Sequence, residues 1–163
     1  MSADSPALVC EVAIRGERYR CTWLNVVDVP ASRVRAFAFP ESGQLLLVRG
    51  DDGLQIPGGG VERGEVADEA LRRELKEEAD ASILASQRLG AFQIEGLTRD
   101  LEEVHEFYAC RVSLADGWKP TRDISARIIV SVRVFLDALP WGRSDPRAAF
   151  LLERALEVEP SLW

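Results

Sequence analysis

The first thirty residues alternate between apolar and polar positions and predict a β-hairpin. Apolar side chains recur at every second position of residues 8–14, which is the period of a strand with one buried face. Gly16 then supplies a tight turn, and residues 18–27 predict the returning strand. Cys10 and Cys21 lie at equal distances from that turn and face each other across the hairpin, where we expect free thiols rather than a disulfide.

The same patterns predict further strands and two helices. A second strand pair is expected from residues 34–39 and 44–48, joined by the turn-forming stretch Pro40–Gly43. Later strands are expected at residues 83–97, 103–112 and 127–136. Residues 66–79 lack glycine and proline and predict a helix, and Asp145 and Pro146 begin a final helix to about Val158. This order predicts an α/β protein whose mixed sheet is covered on both faces.

Composition narrows the class of protein. The 163 residues are 47% apolar, which suits a single folded domain over residues 1–163 with a flexible tail at residues 1–7. The net charge of −7 argues against nonspecific binding to nucleic acids or anionic membranes. No apolar run is long enough to cross a membrane and the N-terminus has no secretory pattern, so we expect a cytosolic protein.

Glutamates concentrate on one side of the predicted central helix. At about 100° per residue, Glu74, Glu77 and Glu78 fall within an arc of roughly 100°, whereas Arg73 and Lys76 are expected on the other face. A solvated surface would intersperse lysines among such acids, because like charges at this spacing repel. Hard cations such as Mg²⁺ and Mn²⁺ prefer oxygen ligands, so the arrangement indicates a metal site.

A glycine-rich loop precedes this helix. Residues 49–65 contain six glycines, three of them consecutive at Gly58, Gly59 and Gly60. Such a run alone is typical of a flexible turn. Its fixed distance from the acids favours a second interpretation, in which exposed backbone N–H groups bind the oxygens of a phosphate.

Together these residues resemble the signature of the Nudix hydrolases. The similar positions are Gly59, Glu65 and the run from Arg73 to Ala79, within a segment of 23 residues. The resemblance implies a Nudix fold, an α/β/α sandwich with a mixed β-sheet. It also implies Mg²⁺- or Mn²⁺-dependent hydrolysis of a pyrophosphate bond in a nucleoside diphosphate linked to another moiety. The implied partner is a small nucleotide derivative, neither nucleic acid nor membrane, and a homodimer is left open.

The resemblance also assigns roles by position. It implies metal ligation by Glu77, Glu78 and Glu74, with Gly58 in the same set. Glu74 is alternatively the residue that activates water, and it forms the implied catalytic group with Arg73 and Glu65, which orient the acids. Gly59 and Gly60 are the implied substrate-binding residues. One position departs: Asp80 replaces the last glycine of the signature, and aspartate tolerates the left-handed turn expected there better than most residues.

Outside the signature, the sequence offers several candidates for an additional functional residue and does not choose among them. Some Nudix enzymes take an additional ligand or general base from a later loop or strand, and here the available acids are Glu102, Glu103 and Glu106. Trp118 lies in a polar loop and is the first candidate for stacking on a nucleobase. Two alternatives to hydrolysis are a regulatory module that binds nucleotides without cleaving them and an isomerase of isoprenoid diphosphates. The first usually loses signature acids, and the second needs catalytic elements that are not evident here.

Overall fold

The structure is a computed structural model that describes residues 7–163, so all but one residue of the predicted tail lies outside it. The described residues form nine strands: β1 (Val9–Ile14), β2 (Glu17–Leu24), β3 (Arg33–Phe39), β4 (Gln44–Gly50), β5 (Gly53–Gln55), β6 (Gly58–Gly60), β7 (Ala81–Gly96), β8 (Glu102–Leu114) and β9 (Ala126–Ser131). The helices are α1 (Ala67–Ala79), α2 (Phe135–Ala138) and α3 (Pro146–Val158), with 3₁₀ turns at Val132–Val134 and Glu159–Leu162. None of these helices is long and apolar enough to cross a membrane.

The strands form two sheets. A six-stranded sheet has the order β1-β2-β7-β8-β3-β6 and is mixed, because β3 runs parallel to β8 while the other pairs are antiparallel. A three-stranded antiparallel sheet has the order β5-β4-β9. The predicted α/β fold with a mixed sheet and an N-terminal hairpin is therefore confirmed.

The hairpin follows from its turn. Arg15 and Gly16 both have positive φ, 52° and 83°, as a two-residue turn matched to the strand twist requires. This turn places Cys10 directly opposite Cys21. Both thiols are free, as expected from the sequence.

The predicted pairing of residues 34–39 with 44–48 is wrong. β3 pairs with β8 and β6, whereas β4 lies in the other sheet between β5 and β9. β3 is apolar on both faces at residues 36–39 and β4 at residues 45–48, so their side-chain pattern does not determine a partner. The turn at Pro40–Gly43 carries the chain from one sheet to the other.

The predicted strand at residues 127–136 is also too long. β9 ends at Ser131, whose hydroxyl accepts a hydrogen bond from the Arg133 N–H at 3.3 Å and caps the 3₁₀ turn that follows. Phe135 then begins α2 and is fully buried. The sequence does not indicate that the strand ends at Ser131, because β-branched residues stand on both sides of it. Ser131 is the only polar residue in this run before Arg133.

Two apolar cores lie on opposite faces of the six-stranded sheet. On one face Leu71 and Leu75 of α1 pack with Ala36 and Tyr108 of the central strands. The core on the other face is built around aromatic residues and α3, with Phe37, Phe92, Phe107, Leu151 and Ala155 among its members. Because successive strand residues point to opposite faces, the even-numbered residues of β3 and β8 lie towards α1 and the odd-numbered residues towards α3.

Candidate active site

The helix that carries the acids has well-defined ends. At its beginning, the Glu69 carboxylate accepts a hydrogen bond from the Val66 N–H at 3.0 Å. At its end, Asp80 adopts the left-handed conformation expected from the sequence, with φ 49° and ψ 43°. Its N–H is directed to the carbonyls of Leu75 and Lys76, which closes the helix without the glycine that its turn would favour.

Arg73 joins the acids of this segment. Its Nε donates to Glu65 at 2.8 Å, and its Nη1 donates to Glu74 at 2.9 Å and to Glu77 at 3.3 Å. Its Nη2 donates to the Gly60 carbonyl at 2.9 Å and to Glu65 at 3.0 Å. The expectation that Arg73 lies on the face away from the acids is therefore wrong, because its long side chain brings the guanidinium back to them.

The strongest of these contacts is the pair of Arg73 with Glu65. The hydrogen bond from Arg73, together with the Glu62 N–H, lowers the pKa of Glu65 to about 2. The same hydrogen bond, donated to Glu65, raises the pKa of Arg73 further above its usual value. Both side chains therefore remain charged at any physiological pH, and Arg73 bonds Glu74 and Glu77 while Glu65 holds its guanidinium.

The three glycines form the edge strand β6 rather than an open cradle. A side chain at Gly58 is excluded, because its φ is 147° and a Cβ would lie 2.1 Å from the Val34 carbonyl oxygen. The Gly58 N–H donates to Oε2 of Glu78 at 2.9 Å, so it is already engaged by an acid of the signature. A Cβ at Gly59 would lie 2.3 Å from Oε1 of Glu74, so this glycine leaves room for that carboxylate.

Glu78 and Glu77 lie in different environments. Burial raises the pKa of Glu78 to about 7, and the nearby negative charges of Glu74 and Glu77 contribute, while the Gly58 N–H and Arg35 oppose the rise. The Glu77 side chain is 60% exposed. Glu78 is therefore costly to ionise because it is buried, whereas the neighbouring Glu77 is open to solvent.

The donor set fits a hard divalent cation. Glu74, Glu77 and Glu78 supply carboxylate oxygens from one helix, and burial together with the charges of Glu74 and Glu77 raises the pKa of Glu78, an effect that a bound cation would oppose. Within residues 7–163 no three His, Cys, Asp or Glu side chains converge closely enough to enclose an ion. Arg73 bonds Glu74 and Glu77, and the Gly58 N–H bonds Glu78. The carbonyl oxygen of Gly58 is the remaining member of the predicted set of metal ligands.

The acids outside the signature are separated by the sheet. Glu106 is buried on the α1 face, where it accepts a hydrogen bond from the Tyr108 hydroxyl and pairs with Arg88 at 3.5 Å. Glu103 lies on the opposite face and bonds His105 at 2.6 Å. Glu102 is exposed and bonds Gln93 at 3.1 Å. The structure therefore does not bring these three residues together.

Two residues hold the C-terminal end of α1, and their contacts are not evident from the sequence. The Trp118 indole N–H donates to the Glu78 carbonyl at 3.1 Å, which gives this residue a structural contact in addition to its predicted stacking role. Arg127 of β9 donates to the carbonyls of Ala79 and Ala115 at 2.8 and 3.1 Å and lies 5.7 Å from the Trp118 ring. No local pattern around Arg127 signals this contact, which joins residues 48 positions apart.

Comparison with known proteins agrees with this geometry. The sequence model of the NUDIX domain matches residues 29–145, well over half of the chain. A pyrophosphohydrolase from Bacillus subtilis, BsRppH, is 20% identical with a TM-score of 0.66, over 89% of this chain and 93% of that one. No curated protein matches the sequence.

Two further solved structures share the fold. A NUDIX hydrolase from Nitrosomonas europaea is 21% identical with a TM-score of 0.62, over 77% of this chain and 88% of that one. An ADP-ribose pyrophosphatase from Streptococcus suis is 22% identical with a TM-score of 0.53, over 80% of this chain and 92% of that one.

Proposed function

This chain belongs to the Nudix family, and on that premise we propose that it is a Mg²⁺- or Mn²⁺-dependent hydrolase of nucleotide derivatives. The bond cleaved is a pyrophosphate bond in a nucleoside diphosphate linked to another moiety. The observation that carries the proposal is the complete set of signature acids, held in place by Arg73 through bonds to Glu65, Glu74 and Glu77. Similar structures that are pyrophosphohydrolases support it.

The metal ligands in this proposal are Glu74, Glu77 and Glu78, with the Gly58 carbonyl. A divalent cation bound there would neutralise phosphate oxygens and lower the pKa of a coordinated water. The charge balance favours this assignment, because the protein carries a net charge of −7 and would otherwise repel a phosphate.

The other roles in the proposed reaction are assigned to side chains of the Nudix signature. Arg73 and Glu65 form a permanently charged pair, so they orient Glu74 without exchanging a proton during turnover. Glu74 serves either as a further metal ligand or as the residue that accepts a proton from the attacking water, and its carboxylate lies against Gly59 and bonds Arg73. The Gly58 N–H fixes one oxygen of Glu78, which leaves the other for ligation.

A substrate panel tests the proposal. Purified protein is incubated with nucleoside triphosphates, nucleotide sugars, dinucleotides and dinucleoside polyphosphates, each with Mg²⁺, Mn²⁺ or EDTA, and released products are separated by chromatography. We expect turnover of at least one class with metal and none with EDTA. The double variant Glu77→Gln with Glu78→Gln should lose at least about 100-fold in kcat, as expected for loss of metal ligation.

The matched control is Asp68→Asn. This acid belongs to the same helix but is 54% exposed and pairs with Arg72, so its loss should leave turnover unchanged. Full turnover by the double variant would overturn the proposal. Nucleotide binding without any turnover across the panel would favour the regulatory module instead.

A further inference from the structure

Two arginines lie side by side on the sheet face that points away from α1. Arg33 and Arg35 are two residues apart on β3, so their side chains share one face at a spacing of about 7 Å. Phe37, the next residue on that face, belongs to the core, whereas the two arginines lie where the core ends. Within residues 7–163 neither arginine pairs with a carboxylate, and Arg35 makes one hydrogen bond, to the Ile56 carbonyl at 3.1 Å.

This arginine pair adjoins the signature acids across one strand. Arg35 is opposite Gly58 in the pairing of β3 with β6, and the Gly58 N–H holds Glu78 at 2.9 Å. Burial and the neighbouring charge of Arg33 lower the pKa of Arg35, while the charges of Glu78 and Glu74 oppose this. Two guanidinium groups thus repel each other in a partly buried position beside the acids.

The other polar groups on this face are already engaged. His105 is opposite Arg33 across the sheet, and burial lowers its pKa well below the ordinary value, so it adds no positive charge at neutral pH. Its Nε2 bonds Glu103 at 2.6 Å. From α3, Arg147 pairs with Asp145 at 2.7 Å, and among the described residues neither Glu103 nor Asp145 forms an ion pair with Arg33 or Arg35.

We propose that Arg33 and Arg35 form a subsite for an additional phosphate of the substrate, next to the phosphates bound at the signature acids. Guanidinium groups bind phosphate oxygens through two parallel hydrogen bonds, and such binding would remove the repulsion between the two arginines. The subsite makes nucleotides with three or more phosphates better substrates than nucleotide sugars, whose distal moiety is uncharged. This inference rests on the proposed function.

Substrate discrimination is the kinetic test. In Arg33→Gln, kcat/KM for a nucleoside triphosphate should fall about 10-fold or more, the loss expected for one charged hydrogen bond, while the value for a nucleotide sugar changes less than about 3-fold. Arg35→Lys keeps the charge but loses the paired geometry and should show a smaller fall of the same selectivity. Arg49→Gln is the control, because Arg49 is exposed on β4 in the other sheet.

A binding measurement separates this inference from the proposed function. Inorganic tripolyphosphate and pyrophosphate are titrated into the full chain in EDTA and followed by calorimetry, which requires neither metal nor turnover. Wild-type protein and Arg49→Gln should bind both anions, and Arg33→Gln should bind them at least about 10-fold more weakly, the loss expected for one charged hydrogen bond.

Equal affinity of wild-type protein and Arg33→Gln for these anions, or no binding by wild-type protein, would overturn the subsite. An equal kinetic loss for both substrate classes would also overturn it. Arg33 is partly exposed at the start of β3, so this variant decides the matter even if Arg35→Lys does not fold. If no substrate is turned over, the proposed function fails and the titration still tests the subsite.

Discussion

The segment from Gly58 to Asp80, called here the Nudix segment, differs from the sheet face around Arg33 and His105 in how its contacts arise. Within the Nudix segment, Arg73 reaches Glu65 and Glu77, which are eight and four residues away. On the sheet face, Arg33 meets His105 only because β3 and β8 pair in parallel. The first arrangement depends on one helix and its loop, whereas the second depends on strand register over a long chain separation.

The two regions are therefore sensitive to different kinds of substitution. Arg73 bonds Glu74 and Glu77, and the Gly58 N–H bonds Glu78, so the Nudix segment is sensitive to changes in the glycines and in Arg73. The sheet face is sensitive to anything that shifts the register between β3 and its neighbours. Gly58 belongs to both regions, since it pairs with Arg35 and holds Glu78.

The largest effect on stability is therefore expected from Gly58→Ala. The new Cβ would lie 2.1 Å from the Val34 carbonyl oxygen at a φ of 147°, which separates β6 from β3. We expect a loss of about 3 kcal/mol or more in the free energy of unfolding, measured with urea. Gly60→Ala is the control, because nothing lies within 4 Å of its Cβ, and an equal loss in both variants would contradict the account.

Gly59→Ala should instead affect catalysis more than folding. The three atoms nearest to its Cβ all belong to the carboxylate of Glu74, which can move aside, so kcat should fall about 10- to 100-fold with a small change in stability. A double-mutant cycle with Glu74→Ala gives the check. In that background the glycine substitution should cost nothing further, and a full additional loss would show that Gly59 acts otherwise.

Arg127→Met tests whether the Nudix segment is self-sufficient. Arg127 bonds the carbonyls of Ala79 and Ala115, so its removal leaves helix-end acceptors unpaired and should cost about 2 kcal/mol of unfolding free energy.

Trp118→Phe removes one hydrogen bond to the Glu78 carbonyl and should cost about 1 kcal/mol of unfolding free energy. Arg133→Met, at an exposed arginine, is the control for urea unfolding, and equal stability of all variants would show that local contacts suffice.

The smallest effect concerns acid stability. The pKa of Glu65 is about 2 in the fold, below its ordinary value, so its stabilising contribution is complete above about pH 4.5 and is lost as the pH falls towards 2. Glu65→Gln should therefore flatten the fall in stability across that window. Unfolding by urea at several acidic pH values measures this, with exposed Glu41→Gln as the control, and an unchanged slope in Glu65→Gln would contradict the assignment.

The two regions also differ in how far the sequence predicts them. The hairpin at Gly16, the helix α1 and its left-handed end at Asp80 follow from local patterns, and they were predicted correctly. The partner of β3 is not predicted correctly, because residues 36–39 are apolar on both faces and do not indicate which strand lies beside them. The contact of Arg73 with Glu77 has the i,i+4 spacing of neighbouring helix side chains, so residue spacing favours it over the opposite face expected for Arg73. The helix-end contacts of Arg127 do not follow from residue spacing.

The central claim is that Glu74, Glu77 and Glu78 act as one metal-binding set on α1. Titration of Mn²⁺ into the protein, followed by electron paramagnetic resonance of the free ion, measures this without a substrate. The account predicts saturable binding by wild-type protein and by Asp68→Asn, and at least about 10-fold weaker binding in Glu78→Gln, the loss of one charged ligand. Equal Mn²⁺ affinity in wild-type protein and Glu78→Gln would contradict it.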